Sequence, residues 1–143
     1  MNLKLSASGT IDINVSATRV WEVLTNPSLI KEYLFGTETT TDWKVGSPVV
    51  FQGDWQGHKY EDHGIIQENI LHKRISYTYW SSFFGVEDKP ENYSVVTLEL
   101  SPKGEHVTTF AWTMKGFLNE ERQKHSQDGM KAFLEQIKGI AER

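Results

Sequence analysis

The 143-residue chain contains no cysteine, which excludes disulfides and thiolate chemistry and leaves serine or threonine as the nucleophile of any triad. No Gly-x-Ser-x-Gly elbow is present to expose such a hydroxyl, so a nucleophilic triad is not expected. Long apolar runs are absent too. Nothing approaches the roughly 20 residues of a membrane span, and Met1–Thr10 lacks the apolar centre of a signal peptide. The expected compartment is the cytoplasm. Charge of one sign is nowhere concentrated: the net charge is −4, with no basic stripe of the kind that neutralises phosphates, so nucleic acid is not an expected partner. The five histidines, His58, His63, His72, His106 and His125, are dispersed. His58 and His63 are five apart, an odd spacing that sends strand side chains to opposite faces. No His-Glu-x-x-His pattern occurs, so neither a metal nor another cofactor is expected. His63 lies mid-strand beside Glu61 and Asp62 and reads as a residue of a solvated face.

What the chain does have is aromatic bulk, with five Trp, five Tyr and seven Phe, and an apolar content of 38%. That composition suits a folded protein, and the length suits one domain spanning 1–143. The last stretch organises the rest. From Asn119 to Arg143, Met130, Phe133, Leu134, Ile137 and Ile140 recur at spacings of three and four, the signature of one helical face. Asn119 is placed to cap it, and Glu120 and Glu121 put negative charge where the helix dipole favours it.

Upstream the pattern is mostly that of strands. Leu3 to Val15 alternates apolar and polar residues, a half-buried strand. Ser16 then caps a short helix with Ala17, Val20, Trp21 and Leu24 on one side. Asn26-Pro27 ends it, and a second short helix presents Leu29, Ile30, Tyr33 and Leu34 up to Gly36. Thr37–Thr41, Val49–Trp55, Lys59–Asn69, Arg74–Trp80, Tyr93–Leu100 and Val107–Met114 read as strands. Gln56-Gly57 is a hairpin turn, and Ser101-Pro102-Lys103-Gly104 a further turn. Ser81–Asn92, with Gly85, Asp88 and Pro90, reads as a long mobile loop. The order predicts an α+β fold: a curved antiparallel sheet of about six or seven strands around a long C-terminal helix, with two short helices after the first strand.

Several of these stretches also resemble a known superfamily. Ile11–Pro27, with its Val20-Trp21 pair, Trp43–Pro48 with its Val-Gly turn, His63–Ile66, Arg74–Tyr79 and Thr108–Gly116 are similar in kind and order to segments of the START-like (SRPBCC, Bet v 1-like) proteins. The branch they resemble most is named for homologues of the heat-shock-protein 90 ATPase activator. The resemblance implies a helix-grip fold and one of three roles: carriage of a small apolar ligand, contact with a chaperone ATPase in a stress response, or turnover of the kind performed by polyketide cyclases. Two positions depart from the branch's pattern. Met114 stands where a His is usual and Met130 where a Trp is usual, and both changes make the expected pocket greasier.

A pocket is expected from the aromatic set. Phe51, Trp55, Tyr77, Tyr79, Phe110 and Trp112 occupy strand positions that should face the helix, where Met114, Met130 and Phe133 join them. Trp21 and Tyr33 are expected near the mouth. A solid core would also put apolar residues there, but Leu, Ile and Val would serve it better than rings with polar tips. Tyrosine hydroxyls and indole N–H groups want partners when buried, and a guest can provide them. Apolar burial at about 25 cal/mol per Å² supports micromolar affinity without a charged anchor. Turnover would need an inward-facing acid or base. Asp54, Glu61 and Asp62 are the nearest candidates, and they read as a solvated face.

Overall fold

The computed structural model describes residues 1–143 as a seven-stranded antiparallel sheet wrapped about a long helix. The first strand, β1 (Asn2–Ile13), leads to α1 (Ala17–Thr25) and α2 (Pro27–Tyr33). The strands β2 (Glu38–Thr40), β3 (Pro48–Trp55), β4 (His58–Ile70), β5 (Arg74–Tyr79), β6 (Ser94–Gly104) and β7 (Val107–Phe117) follow, and α3 (Glu120–Ala141) closes the order. The sheet runs β1-β7-β6-β5-β4-β3-β2, so the first strand returns to pair with the last and the two free edges are β1 and β2.

Local chemistry accounts for the boundaries. Ser16 Oγ accepts from Arg19 N–H at the start of α1, and Asn119 Oδ1 accepts from Arg122 N–H at the start of α3. Asn26 has two tasks. Its N–H closes α1 on the Glu22 carbonyl, and its side chain accepts from Ser28 N–H to open α2, with Pro27 in the first turn where no donor is needed. Gln56 (φ 52°) and Gly57 (φ 82°) make the two-residue β3–β4 turn, both in the left-handed region that matches hairpin twist. Two expected boundaries move. β6 continues through Pro102 and Gly104, and Glu105-His106 make the turn instead. The segment Ser81–Asn92 is not a featureless loop: it holds two single-turn 3₁₀ segments, Ser82–Phe84 and Pro90–Asn92. Side chains pin it. Trp80 Nε1 donates to the Val86 carbonyl, Asn92 Nδ2 to the Glu87 carbonyl, and Arg122 Nη1 to the Phe83 carbonyl.

The helix α3 lies along β1. The Gln127 carboxamide bonds the backbone of Ser8 on both sides, accepting from its N–H (2.9 Å) and donating to its carbonyl (2.8 Å) as a neighbouring strand would. Gln123 donates to the Ser6 carbonyl and Lys138 to the Asp12 carbonyl, while Glu142 accepts from Asn14 N–H. At the far end Arg19 donates to the carbonyls of Ile140 and Ala141 in the last turn of the helix, where carbonyls lack full intrahelical pairing. Below these ties Met130, Leu134, Ile137 and Ile140 are buried with Ala7, Ile13, Val20, Val23 and Phe110.

Close approach requires Gly9. A Cβ there would stand 2.6 Å from Met130 Cγ and 2.8 Å from Leu134 Cδ1, inside any real contact distance. Overpacking of this kind costs about 1–3 kcal/mol, against a gain of at most about 1 kcal/mol from a stiffer unfolded chain. The clash wins. Gly9→Ala is expected to lower stability by about 1–2 kcal/mol, read as a lower urea midpoint at unchanged slope.

Candidate functional site

Under the first half of α3 the sheet and helix do not meet. A cavity of about 620 Å³ remains, walled by 18 residues of which 13 are hydrophobic. The register explains how its wall is assembled. Met114, Val96, Tyr77 and Ile66 are consecutive cross-strand partners over β7, β6, β5 and β4, so they form one inward row. Phe51 pairs with Asp62 and Gly53 with Tyr60 across the β3–β4 hairpin, which brings both β4 side chains to the same concave face. From above, His125, Gly129 and Phe133 recur every fourth residue of α3, with Ser126 and Met130 beside them. Leu34 and Phe35, just beyond α2, and Phe83 of the first 3₁₀ turn complete the lining.

Of the expected site residues, Phe51, Trp55, Tyr77, Tyr79, Trp112, Met114, Met130 and Phe133 line this cavity. Trp21, Tyr33 and Phe110 do not. Phe110 lies one inward position before Trp112 and two before Met114 on β7, where α3 has come down onto the sheet, and it is fully buried core. Tyr33 is turned away from the cavity: its hydroxyl donates to the Val23 carbonyl (3.2 Å), and its ring supports Phe133 from behind, edge-on at 5.9 Å. Trp21 packs edge-on against His72 on another side of the molecule.

Rings hold one another in place. Phe51 contacts Tyr77 and Tyr79 at centroid distances of 5.8 and 5.7 Å, Tyr60 meets Phe83 at 5.5 Å, and Trp112 meets Phe133 edge-on at 4.8 Å. Trp55, Phe83 and Phe35 are 51%, 48% and 78% exposed, which marks the open side as an aromatic rim. Beyond Phe83 and His125 a second hollow of about 520 Å³ shares these two residues, Met114 and Ser126 with the first.

The polar groups are few. Thr37 Oγ1 and the Tyr60 hydroxyl bond each other at 2.6 Å. Burial pushes the Tyr77 and Tyr79 hydroxyls well above the ordinary phenol range, so both stay protonated. Tyr79 donates to Asp62 Oδ2 (2.9 Å), whereas no side-chain partner relieves the cost of burying Tyr77. Asp62 is the correction of most consequence. It points inward, is 5% exposed, and sits in the wall between Phe51 and Tyr79. Burial raises its pKa, opposed by hydrogen bonds from the Tyr79 hydroxyl, the Ser81 side chain and the Ser82 N–H. Asp54 and Glu61 do face solvent. The two-residue period Tyr60, Asp62, Gly64, Ile66 carried this orientation, since Ile66 has to be inside. His63, one residue on, points outward; its Nε2 meets Asp88 Oδ2 (2.8 Å) and the Tyr93 hydroxyl (3.1 Å), and its ring stacks on Trp80.

With this geometry in view, comparison with known proteins is informative. The model of the family described as "Activator of Hsp90 ATPase homolog 1-like protein" matches residues 14–142. The chain belongs to this family. Its fold is accordingly the START-like helix grip. A solution structure from Cytophaga hutchinsonii is 40% identical, covers 99% of this chain and 97% of its own, and superposes with a TM-score of 0.83. Two more distant structures share the fold. CalU16 from Micromonospora echinospora is 20% identical, over 95% of this chain and 75% of its own, with a TM-score of 0.72. The Aha1 dimer from Colwellia psychrerythraea is 16% identical, over 96% of each chain, with a TM-score of 0.72. No curated protein matches the chain. No helix is long and apolar enough to cross a membrane.

The inward carboxylate has a consequence for stability. Its pKa is higher folded than unfolded, so the folded state binds more protons between those two values, and raising the pH through them costs stability. Asp62→Asn removes this dependence. The stability of the Asp62→Asn protein minus that of the wild type is expected to rise as the pH is raised above about 4, measured by urea unfolding of both proteins at each pH. A difference that stays flat with pH would refute an inward, desolvated carboxylate.

Proposed function

We propose that the chain binds a small, predominantly apolar molecule in the cavity between α3 and the concave face of the sheet. One observation carries this reading: a hollow of about 620 Å³, walled largely by rings and thioethers and open at an aromatic rim. Its volume lies within the roughly 300–1,000 Å³ of ordinary ligand pockets. The rings contribute affinity through area, and each shaped aromatic contact adds about 0.5–1.5 kcal/mol beyond it. The Tyr77 hydroxyl has no side-chain partner and belongs to a residue of the cavity wall, so it offers a hydrogen bond that a guest can complete.

The site residues on this reading are Phe51, Trp55, Tyr77, Tyr79, Trp112, Met114, Met130 and Phe133, joined by Tyr60, Asp62, Phe83 and Val96. Titration of the isotope-labelled protein with a panel of polycyclic, steroid-like and long-chain neutral compounds is expected to move the resonances of Tyr77, Val96, Trp112 and Phe133 ahead of all others. Trp112→Ala, checked by urea unfolding to remain folded, is expected to weaken the best compound at least tenfold, as loss of a central aromatic contact does. A panel that saturates without moving these resonances would sink the proposal.

A further inference from the structure

The cavity contains one formal charge and no answer to it. Asp62 is set in an apolar wall, and no Lys or Arg lines the space it faces. Its hydrogen-bond partners are neutral: the Tyr79 hydroxyl on Oδ2 at 2.9 Å, the Ser81 side chain, and the Ser82 N–H on Oδ1 at a long 3.4 Å. A carboxylate has about four lone-pair sites, so acceptor capacity is left over. The neighbouring base, His63, projects to the other face of β4, where Asp88 and Tyr93 occupy it. His125 is the only basic residue of the lining, and it stands exposed on α3.

Buried charges are ordinarily paired, because an unpaired one forfeits hydration without return. Here the chain provides no cation. The rings around the carboxylate are disposed to accept one: Phe51 lies directly across the strand pair from Asp62, and Tyr77 and Tyr79 lie within 5.8 and 5.7 Å of Phe51, centroid to centroid. Aromatic faces carry negative charge density and attract ammonium groups, more strongly where water is excluded. A carboxylate and ring faces around one hollow favour a positive group and oppose a negative one.

We infer that the ligand of this cavity is a hydrophobic amine, its protonated nitrogen seated against Asp62 and its apolar body among Tyr77, Trp112 and Phe133. This rests on the cavity being a ligand site and adds the class of ligand. Fatty acids and other apolar carboxylates are correspondingly rejected, since their head group would meet Asp62 with no cation between them.

Three compounds that share one ring system and differ only in the head group test the inference on the intact protein. Fluorescence titration with 1-pyrenemethylamine, 1-pyrenemethanol and 1-pyrenecarboxylic acid at neutral pH is expected to rank them in that order, the amine at least tenfold tighter than the alcohol, as a charge-assisted hydrogen bond provides. Asp62→Asn should bring the amine to within about twofold of the alcohol, because the variant keeps the hydrogen-bonding shape and loses the charge. Glu61→Gln, which removes an exposed charge from the same strand, should leave the ranking intact. Equal binding of amine and alcohol by the wild type, tightest binding of the acid, or an equal loss in the Glu61→Gln protein would each overturn the inference while leaving the cavity a ligand site. Failure of all three compounds to bind would overturn both readings. The wild-type ranking needs no variant, so misfolding of the Asp62→Asn protein would not protect the claim.

Discussion

The long helix is tied to one rim of the sheet, and those ties decide what the middle can be. Gln127 bonds both backbone groups of Ser8, Gln123 and Lys138 reach the carbonyls of Ser6 and Asp12, and Gly9 lets Met130 and Leu134 approach the strand. Every buried residue of α3 lies at or beyond Met130. The part before it, which crosses the concave face, presents His125, Ser126 and Gly129, side chains too small or too polar to fill the space below. The apolar stripe of the helix is used where helix meets β1 and α1, and the sheet's remaining inward surface has to be satisfied by something else.

Rings keep that surface from closing. Phe51, Tyr77 and Tyr79 brace one another, as do Trp112 and Phe133, and each ring has only two torsions to adjust. Asp62 acts in the same direction. Contact of its carboxylate with a collapsed hydrocarbon core would leave lone pairs unsatisfied, so the charge favours a space that water or a polar guest can enter. The feature that suits the site for a ligand also disfavours its closure.

Much of this was legible in the residues. The long helix, both short helices, the hairpin at Gln56-Gly57 and the succession of strands along the chain follow from periodicity and capping, because those signals act within a turn or two of the chain. The inward faces of β3, β5, β7 and α3 were legible as well, and Phe51, Tyr77, Trp112 and Phe133 are lining residues found that way. Depth was not. Phe110, Trp112 and Met114 share one face of β7, and only the height at which α3 settles makes the first core and the others wall. Tyr33 was misread for a similar reason: its hydroxyl finds the Val23 carbonyl ten residues earlier, a partner created by helix packing. Asp62 was the reverse case. Its period was visible, but a carboxylate between Glu61 and His63 reads as solvated unless the two-residue rhythm is given more weight than the charge.

The bond between Gln127 and Ser8 joins residues 119 positions apart. A ribosome extrudes β1 long before it reaches α3, so for most of synthesis the first strand has neither its partner β7 nor the carboxamide that stands in for a neighbour on its other side. A growing chain of this kind carries an open strand edge that can recruit foreign strands, and assembly waits on its slowest, most distant closure. The alternate Lys, Ser and Thr side chains along that strand, spaced between the apolar ones, are what keep it wettable through the interval.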